Sequence, residues 1–390
     1  MLKRFTVKNY KNFQKEVCLD FEKTAGYQFS TDCITDGLIS KMLIYGRNST
    51  GKTNLGKALL NIRTMLYDDI FYAETGAFLN GDSVEDAAVF SYFFDFNGQE
   101  LDYRYAKLSE NRLKWEELKI NGTTIFSCNF VDGEFEFSHL EEIEAETANV
   151  TRYIQAQEHE KKGKAAFPFL RWLINNVALK RNSLLIMLSD YVRKIFMVTV
   201  GNIMSMVAVK NTTMIYSAGS LFDDFFEKLE KEKKLKVLED FLNAMGIKCR
   251  LILKKLPDGE WKLYFDHKKL VPFFENASSG TLVLFDLYRR FIMAMEDASI
   301  VYLDEFDAFY HYEMAENLVK FFKKKFPRSQ IIMTSHNTNL MNNRLMRPDC
   351  LFILSGEGTL TALCDATERE LREGHNLEKM YISGEFERYE

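Results

Sequence analysis

The amino-acid sequence predicts an α/β protein with a mixed, mostly parallel sheet, an antiparallel lid and an inserted helical arm. Its last third alternates helix-like and strand-like patterns, an arrangement typical of parallel sheets. Residues 88–128 instead form short alternating runs separated by Asn97-Gly98 and Asn121-Gly122, and Asn-Gly is a strong hairpin signal. The segment between these regions is mainly helical in pattern. At 390 residues the chain has room for two or three structural units.

The composition is typical of a globular protein and argues against a strongly basic, secreted or membrane-spanning one. The 33 Phe and only 5 Pro favour a large core over a string of linked domains. A formal net charge of -5 means that nucleic acid or an anionic membrane would have to bind a local patch. The six Cys include no C-x-x-C pair and the N-terminus has no signal-peptide core, which predicts a cytoplasmic protein. The longest uncharged apolar stretch, residues 195–209, is shorter than the roughly 18–20 residues that span a bilayer, so we predict a buried helix and no membrane contact.

The N-terminal segment predicts two short strands, a buried strand and a helix. Apolar residues alternate over Leu2–Val7 and again over Val17–Phe21. The mostly apolar run Leu38–Tyr45 is typical of a buried strand, and residues 54–68 have helical spacing after a turn that contains glycine.

The middle of the chain separates its charges sharply. Residues 131–160 carry nine acidic residues against one Arg, whereas residues 161–215 carry nine Lys or Arg against one Asp. The basic residues of the second segment include Lys161, Lys162, Lys164, Arg171, Lys180, Arg181, Arg193 and Lys194. This segment is interleaved with aromatic residues, so it fits a solvated face paired with the acidic run, a protein-docking surface or a nucleic-acid surface.

The C-terminal part predicts the alternation that defines the fold class. A helix pattern over 221–245 is followed by two strand-like segments joined by the turn Pro257-Asp258-Gly259. Further along we predict a helix over about 279–296, the strand 299–305, a helix through 313–325 and the strand 329–336. The mostly apolar segment 349–355 adds a last strand.

A phosphate-binding loop lies between the buried strand and the first helix. The segment Gly46–Thr53 fits G-x-x-x-x-G-K-[ST] in full, in the strand–turn–helix context that the motif requires. Its glycines allow backbone N–H groups to converge on phosphate, Lys52 reaches the β- and γ-phosphates, and the Thr53 hydroxyl coordinates Mg²⁺. We therefore assign ATP binding to Gly46, Arg47, Asn48, Ser49, Thr50, Gly51, Lys52, Thr53 and Asn54.

Two carboxylates end the predicted strand 299–305. A parallel strand delivers its C-terminal residues to the ligand-binding edge of a sheet. We predict that Asp304 holds Mg²⁺ through water and that Glu305 polarises the attacking water. The alternative is a strand that simply leads into an acidic helix start.

Two further segments complete a candidate site. Thr334-Ser335-His336 follows the next apolar strand, where His336 either contacts the γ-phosphate or is an ordinary loop histidine, and its place in the ordered set of motifs favours the contact. Ser278, Ser279, Gly280 and Thr281 open a predicted helix, which is either an ordinary cap or a second anion site. A second subunit would bring that anion site to the P-loop most simply.

The order of these four segments resembles the ABC-type ATPase head of the RecF/SMC/OLD-like branch. The opening residues FTVKNYKNF and the Asn in the P-loop also resemble that branch. The resemblance implies that Ser278–Thr281 act as a signature motif in trans, that His336 is the switch histidine and that Asp307 lies in the loop after the Walker B strand. It is strongest to stand-alone ATPases of bacterial anti-phage systems, including abortive-infection, Septu and retron-associated proteins.

The resemblance divides the chain into three parts. Residues 1–130 form the first part of the head with the lid, 131–250 the helical arm, and 251–390 the rest of the head. The sequence offers no nuclease centre of its own, so we expect an ATP- and Mg²⁺-dependent homodimer or higher homo-oligomer that regulates a separate nuclease or toxin. A RecF-like ATPase that clamps DNA, with nucleic acid bound through 161–215, and an ATP-stabilised scaffold without turnover remain alternatives.

Overall fold

The computed structural model describes residues 1–67, 76–160, 167–199, 218–289 and 298–389. Its strands, in chain order, are β1 (Leu2–Lys8), β2 (Val17–Asp20), β3 (Ile34–Thr35), β4 (Leu38–Ile39), β5 (Lys41–Tyr45), β6 (Ala88–Phe96), β7 (Gln99–Ser109), β8 (Arg112–Ile120), β9 (Thr123–Asn129), β10 (Glu134–Phe137), β11 (Ile195–Thr199), β12 (Leu251–Lys255), β13 (Trp261–Phe265), β14 (Val271–Pro272), β15 (Ile300–Asp304), β16 (Gln330–Ser335), β17 (Leu351–Leu354) and β18 (Leu360–Ala362). The α-helices are α1 (Lys52–Tyr67), α2 (Val150–Glu160), α3 (Phe169–Asn176), α4 (Leu184–Arg193), α5 (Ala218–Lys231), α6 (Leu235–Ala244), α7 (Phe273–Asn276), α8 (Ser279–Leu287), α9 (Tyr312–Lys325) and α10 (Leu377–Ile382).

A six-stranded sheet with the order β11-β15-β16-β5-β17-β18 forms the centre of the molecule. All neighbouring pairs in it are parallel except β17 and β18. Strands β5, β15 and β16 are completely buried, as expected for central strands covered on both faces. Because these strands are parallel, the residues that follow each of them meet at one edge of the sheet.

A seven-stranded antiparallel sheet packs beside the parallel one. Its order is β10-β9-β8-β7-β6-β1-β2. The Asn97-Gly98 and Asn121-Gly122 turns both have positive φ at their two central residues, which is the geometry of a tight hairpin. The sequence prediction of an α/β protein with a mostly parallel sheet and an antiparallel lid is therefore confirmed.

Helix α1 lies against both sheets. The Tyr92 hydroxyl of β6 donates to the carbonyl of Ala58, 2.9 Å away, and the Tyr105 hydroxyl of β7 reaches Asn61 Oδ1 at 3.0 Å. On the other side Gly56 faces the ring of Tyr302 in β15, where an added Cβ would lie 2.6 Å from the ring. The helix that follows the P-loop is thus fixed by both layers of the fold.

The segment 167–199, which lies in the part of the chain predicted to be mainly helical, is not helical throughout. It contains two helices, α3 and α4, and then the strand β11, which pairs in parallel with β15. The predicted buried helix over 195–209 is wrong for Ile195–Thr199, and residues 200–209 lie outside the described residues. The sequence IFMVT is rich in β-favouring residues, and pairing it with β15 covers what would otherwise be a sheet edge. The antiparallel sheet likewise extends past residue 130, because β10 pairs with β9.

Two basic residues of the segment 161–215 make contacts within the protein itself. Arg171 is buried and donates to the carbonyls of Thr64 and Met65 at the end of α1. Lys180 pairs with Glu144 of the acidic run at 2.9 Å. Residues 161–166 and 200–217 lie outside the described residues. None of the described helices is long and apolar enough to cross a bilayer.

Candidate nucleotide-binding site

The P-loop connects β5 to α1 at the edge where the parallel strands end. Gly51 has φ of +102°, and a Cβ there would lie 2.2 Å from the Asn12 side chain. Gly46 is equally confined, because its Cβ would lie 2.6 Å from Thr50 Oγ1. Arg47, Asn48 and Ser49 are exposed, so the turn presents its backbone to solvent. The turn therefore has the close-packed glycines and open rim expected of a phosphate cradle.

Lys52 lies inside this turn at the start of α1. Its Nζ donates to the carbonyl oxygens of Gly46 at 2.7 Å and Arg47 at 2.9 Å. Burial lowers the pKa of Lys52, while the nearby charges of Asp304 and Glu305 act in the opposite direction. The turn thus holds the Lys52 ammonium group on its inner side, close to the carboxylates at the end of β15.

Asp304 ends β15 beside the first turn of α1. The Thr53 hydroxyl donates to Asp304 Oδ2 at 2.7 Å, and the Thr334 hydroxyl donates to Asp304 Oδ1 at 2.9 Å. Burial raises the pKa of Asp304, and the two hydroxyl hydrogen bonds lower it. Adjacent carboxylate and hydroxyl oxygens are the hard ligands that Mg²⁺ prefers when phosphates and water supply the rest. The donor set of Thr53 and Asp304 therefore fits Mg²⁺, and the described residues contain no group of three or more His, Cys, Asp or Glu side chains that could hold a metal ion.

Glu305 and His336 face each other above the ends of β15 and β16. Glu305 Oε1 lies 3.5 Å from His336 Nε2, and His336 Nδ1 lies 3.4 Å from Lys52 Nζ. Both the glutamate and the histidine side chains are partly exposed, with 43% and 38% accessibility. They are therefore accessible to a bound phosphate and to water. The structure brings Lys52, Asp304, Glu305 and His336 together at this edge of the sheet, and their roles stay predictions.

Three residues at the site had no role assigned from the sequence alone. Asn12, in the turn after β1, donates to the carbonyl of Thr50 at 2.9 Å and accepts from Asn54 at 2.8 Å. The Tyr302 hydroxyl donates to the carbonyl of Lys52. Thr334, which the sequence indicated only as a neighbour of His336, donates a hydrogen bond to Asp304. The segment FTVKNYKNF contained the only signal for Asn12, and the motif T-S-H the only one for Thr334.

The residues Ser278–Thr281 lie at the start of α8. Ser278 caps the helix by accepting from the Thr281 N–H at 3.2 Å, and its hydroxyl is 2.8 Å from Thr281 Oγ1. These hydrogen bonds join residues of the same turn. The structure therefore shows that Ser278 caps the helix, and the role of Ser278–Thr281 as a signature motif stays a prediction. Gly280 faces the carbonyl of Phe309, 3.4 Å from where its Cβ would be. In the same loop Asp307 accepts from the Ser335 hydroxyl at 2.7 Å.

The fold and the site define a P-loop nucleotide-binding protein with a mostly parallel sheet. Residues 41–342 match the family described as "AAA domain, putative AbiEii toxin, Type IV TA system". This match spans more than half of the chain, and the chain belongs to that family of AAA-domain proteins.

Comparison of whole structures finds SMC head domains. An Smc head bound to the C-winged helix domain of ScpA has a TM-score of 0.49 at 15% identity, covering 93% of this chain and 97% of that one. The SMC head domain from Thermotoga maritima has a TM-score of 0.45 at 15% identity, covering 93% and 98%. No curated protein matches the sequence.

Proposed function

We propose that the protein binds ATP with Mg²⁺ in the P-loop and hydrolyses it in the cytoplasm. The observation that carries this proposal is the contact of Thr53 with Asp304, 2.7 Å apart, between two segments 251 residues apart in sequence. A P-loop threonine and a strand-end aspartate in contact have the geometry of a shared Mg²⁺ site. Lys52, Glu305 and His336 lie around the same space.

Each side chain then has a separate task. Lys52 and the backbone N–H groups of the loop bind phosphate, while Thr53 and Asp304 hold the metal, which neutralises charge on the phosphates when bound. Glu305 orients the attacking water and accepts its proton, and His336 contacts the terminal phosphate. Glu305 Oε1 and His336 Nε2 lie 3.5 Å apart and both side chains are partly exposed, so both can turn toward that phosphate.

Turnover of ATP by purified protein tests the proposal. We expect Glu305→Gln to bind ATP but lose about 10²–10⁴-fold in turnover, since a general base is removed. Lys52→Ala should lose binding itself. The exposed Lys379→Ala is a matched control that should leave both unchanged. Wild-type protein that neither retains nor hydrolyses ATP in the presence of Mg²⁺ contradicts the proposal.

We further propose that two copies of the chain enclose the nucleotide, with Ser278, Ser279, Gly280 and Thr281 of one copy contacting the ATP of the other. Ser279 is exposed at the first turn of α8, a nine-residue helix whose N-terminus attracts anions. The exposed aromatic side chains of Phe309 and Tyr312 lie on the neighbouring loop and helix start. This surface suits burial against a second copy.

Mixing two inactive variants tests this arrangement. Ser279→Arg and Lys52→Ala should each be inactive alone, because each loses both sites of a symmetric dimer. Mixed dimers contain one intact composite site, so turnover should reappear on mixing. Turnover by Ser279→Arg alone at the wild-type rate contradicts the arrangement.

We propose that ATP-driven closure regulates an effector, a nuclease or toxin, on another chain. The family description names a toxin of a toxin–antitoxin system, and the described site contains only nucleotide chemistry. The product of the neighbouring gene, expressed with this protein, should co-purify with it, and the complex should respond to ATP in the wild type but not in Lys52→Ala. A complex that is unaffected by ATP would favour a scaffold without required turnover.

One observation favours nucleic acid as a second candidate ligand. Residues 248–269 carry seven Lys or Arg against three acidic residues, and Lys254 stands directly opposite Lys262 across β12 and β13. Like charges directly opposite each other are destabilising, and a phosphate between the two ammonium groups would add to the pairing that Lys262 already makes with Glu260 at 3.7 Å. Duplex DNA binding that weakens steeply with salt, and that is lost in a Lys254→Glu/Lys262→Glu double variant, would support a DNA clamp. No binding at low salt would exclude it.

A further inference from the structure

We propose that Thr334 is a positioning residue that fixes Asp304 and Glu305 together, so that metal binding and water activation depend on one hydroxyl group. This inference rests on the proposed ATPase function and adds a residue to it. Thr334 is completely buried in β16, between the strand that leads to the P-loop and the strand that carries the two carboxylates. It therefore lies behind the site and touches its side chains from the interior.

The first contact is to the metal-binding carboxylate. Thr334 Oγ1 donates to Asp304 Oδ1 at 2.9 Å, while Thr53 donates to the other carboxylate oxygen at 2.7 Å. The two hydrogen bonds thus give each oxygen of this buried carboxylate a hydroxyl donor. Thr334 thus holds the plane of the carboxylate from the side opposite to the predicted metal ligand Thr53.

The second contact is to the backbone of Glu305. The Glu305 N–H donates to Thr334 Oγ1 at 2.8 Å, and the next N–H, of Phe306, donates to the Thr334 carbonyl at 3.2 Å. Glu305 has φ of +50°, a left-handed conformation that costs energy for a residue with a side chain. The pairing of β15 with β16 ends before Glu305. The Thr334 hydroxyl therefore accepts the hydrogen bond of the Glu305 N–H that a strand carbonyl would otherwise accept.

The two contacts determine the direction of the hydroxyl hydrogen. The backbone N–H of Glu305 is a donor, so Thr334 Oγ1 must accept from it and its single hydrogen is committed to Asp304. Valine has the same shape but can make neither bond, whereas serine can make both. A comparison of valine with serine therefore separates the hydroxyl from the packing of the side chain.

The test measures both nucleotide binding and turnover. For Thr334→Val we expect a 10–100-fold loss in kcat and a higher Mg²⁺ concentration for half-maximal binding of a fluorescent ATP analogue. Binding of the analogue at saturating Mg²⁺ should persist, because Lys52 and the loop are unchanged. Thr334→Ser should restore both quantities to within about 3-fold of the wild type, because it retains the hydroxyl.

Two results would overturn the inference. The first is a Thr334→Val variant whose kcat and Mg²⁺ dependence equal those of the wild type. The second is a Thr334→Ser variant that is as defective as Thr334→Val. Thermal unfolding shows whether each variant is folded. If Thr334→Val does not fold, Thr334→Cys takes its place with the same expected results, because a thiol is only a weak donor. Failure of the wild type to bind ATP with Mg²⁺ would instead overturn the proposed function itself.

Discussion

At the scale of single residues, the phosphate-binding turn depends on glycines that no other residue can replace. Gly51 combines a left-handed backbone with direct contact to the Asn12 side chain, and Gly46 is enclosed by Thr50 and the carbonyl of Leu354. A methyl group at either position would displace the loop or its neighbour. The shape of the nucleotide site is therefore set by backbone proximity as much as by the charge of Lys52.

Replacing Gly51 by Ala should abolish ATP binding. The matched control is Gly98→Ala, which has a comparable φ of +82° but nothing within 4 Å of its Cβ. Both variants should lose about 1–2 kcal/mol of unfolding free energy from the left-handed backbone. Only Gly51→Ala should lose ATP binding in equilibrium titrations; equal affinities in the two variants would refute the role of the contact with Asn12.

The motif residues of the site could be predicted from sequence, while their supporting residues could not. Lys52, Thr53 and Asp304 belong to patterns whose chemistry is local and recognisable. Asn12 and Thr334 act through contacts that join segments 38 and 30 residues apart. Such contacts depend on strand order, which a single sequence does not specify.

At the scale of elements, a buried carboxylate joins the antiparallel lid to the arm. Glu116 of β8 accepts from the Tyr103 hydroxyl at 2.8 Å and from the backbone N–H of Phe169 at the start of α3. Burial raises the pKa of Glu116 to about 7, although these hydrogen bonds act in the opposite direction. The connection between lid and arm therefore contains a group that titrates near neutral pH.

The stability of the protein should fall as pH rises through 7 because of Glu116. A carboxyl whose pKa is raised in the folded state contributes stability that is present below its ordinary value of about 4.5. That contribution, up to about 3 kcal/mol, is lost as pH rises through about 7. Denaturant titrations at pH 5 and pH 8 should show a smaller decline in Glu116→Gln than in wild type. The half-buried neighbour provides the control Glu117→Gln, and identical declines in all three proteins would contradict the assignment.

Helix α3 is also connected to the P-loop helix. Arg171 Nε donates to the Met65 carbonyl at 2.6 Å, and its Nη2 donates to the Thr64 carbonyl, so the guanidinium caps the last turn of α1. Arg171→Met should cost about 2–4 kcal/mol of unfolding free energy, because buried carbonyls lose a charged donor. Arg181→Met, at an exposed position, should cost little. Equal stabilities would show that the cap is unimportant.

Elements with strong local signals were predicted well, and the clearest of the differences has a physical cause. The Asn-Gly hairpins, the strand before the P-loop and helix α9 follow from turn chemistry and periodicity. Strand β11 follows directly after helix α4, and its continuous apolar run fits either structure. Its pairing with β15, more than 100 residues later in the chain, decides between them.

At the scale of the whole molecule, the P-loop helix connects every layer. Helix α1 contacts the antiparallel sheet through Tyr92, the parallel sheet through Tyr302 and the arm through Arg171. One helix therefore connects the nucleotide-binding turn to both the lid and the arm. This arrangement suits a protein that converts the state of a bound nucleotide into a change of surface, as we propose for control of a separate effector.

The most direct test of the account is the mass of Glu305→Gln in solution with and without ATP and Mg²⁺, measured by light scattering coupled to size exclusion. Without a general base, bound ATP should persist and hold two copies together. We predict a dimer that retains about one ATP per chain and returns to monomer on removal of Mg²⁺. The Lys52→Ala/Glu305→Gln double variant should stay monomeric. A Glu305→Gln protein that retains no ATP and has the same mass in both conditions would contradict the central claim.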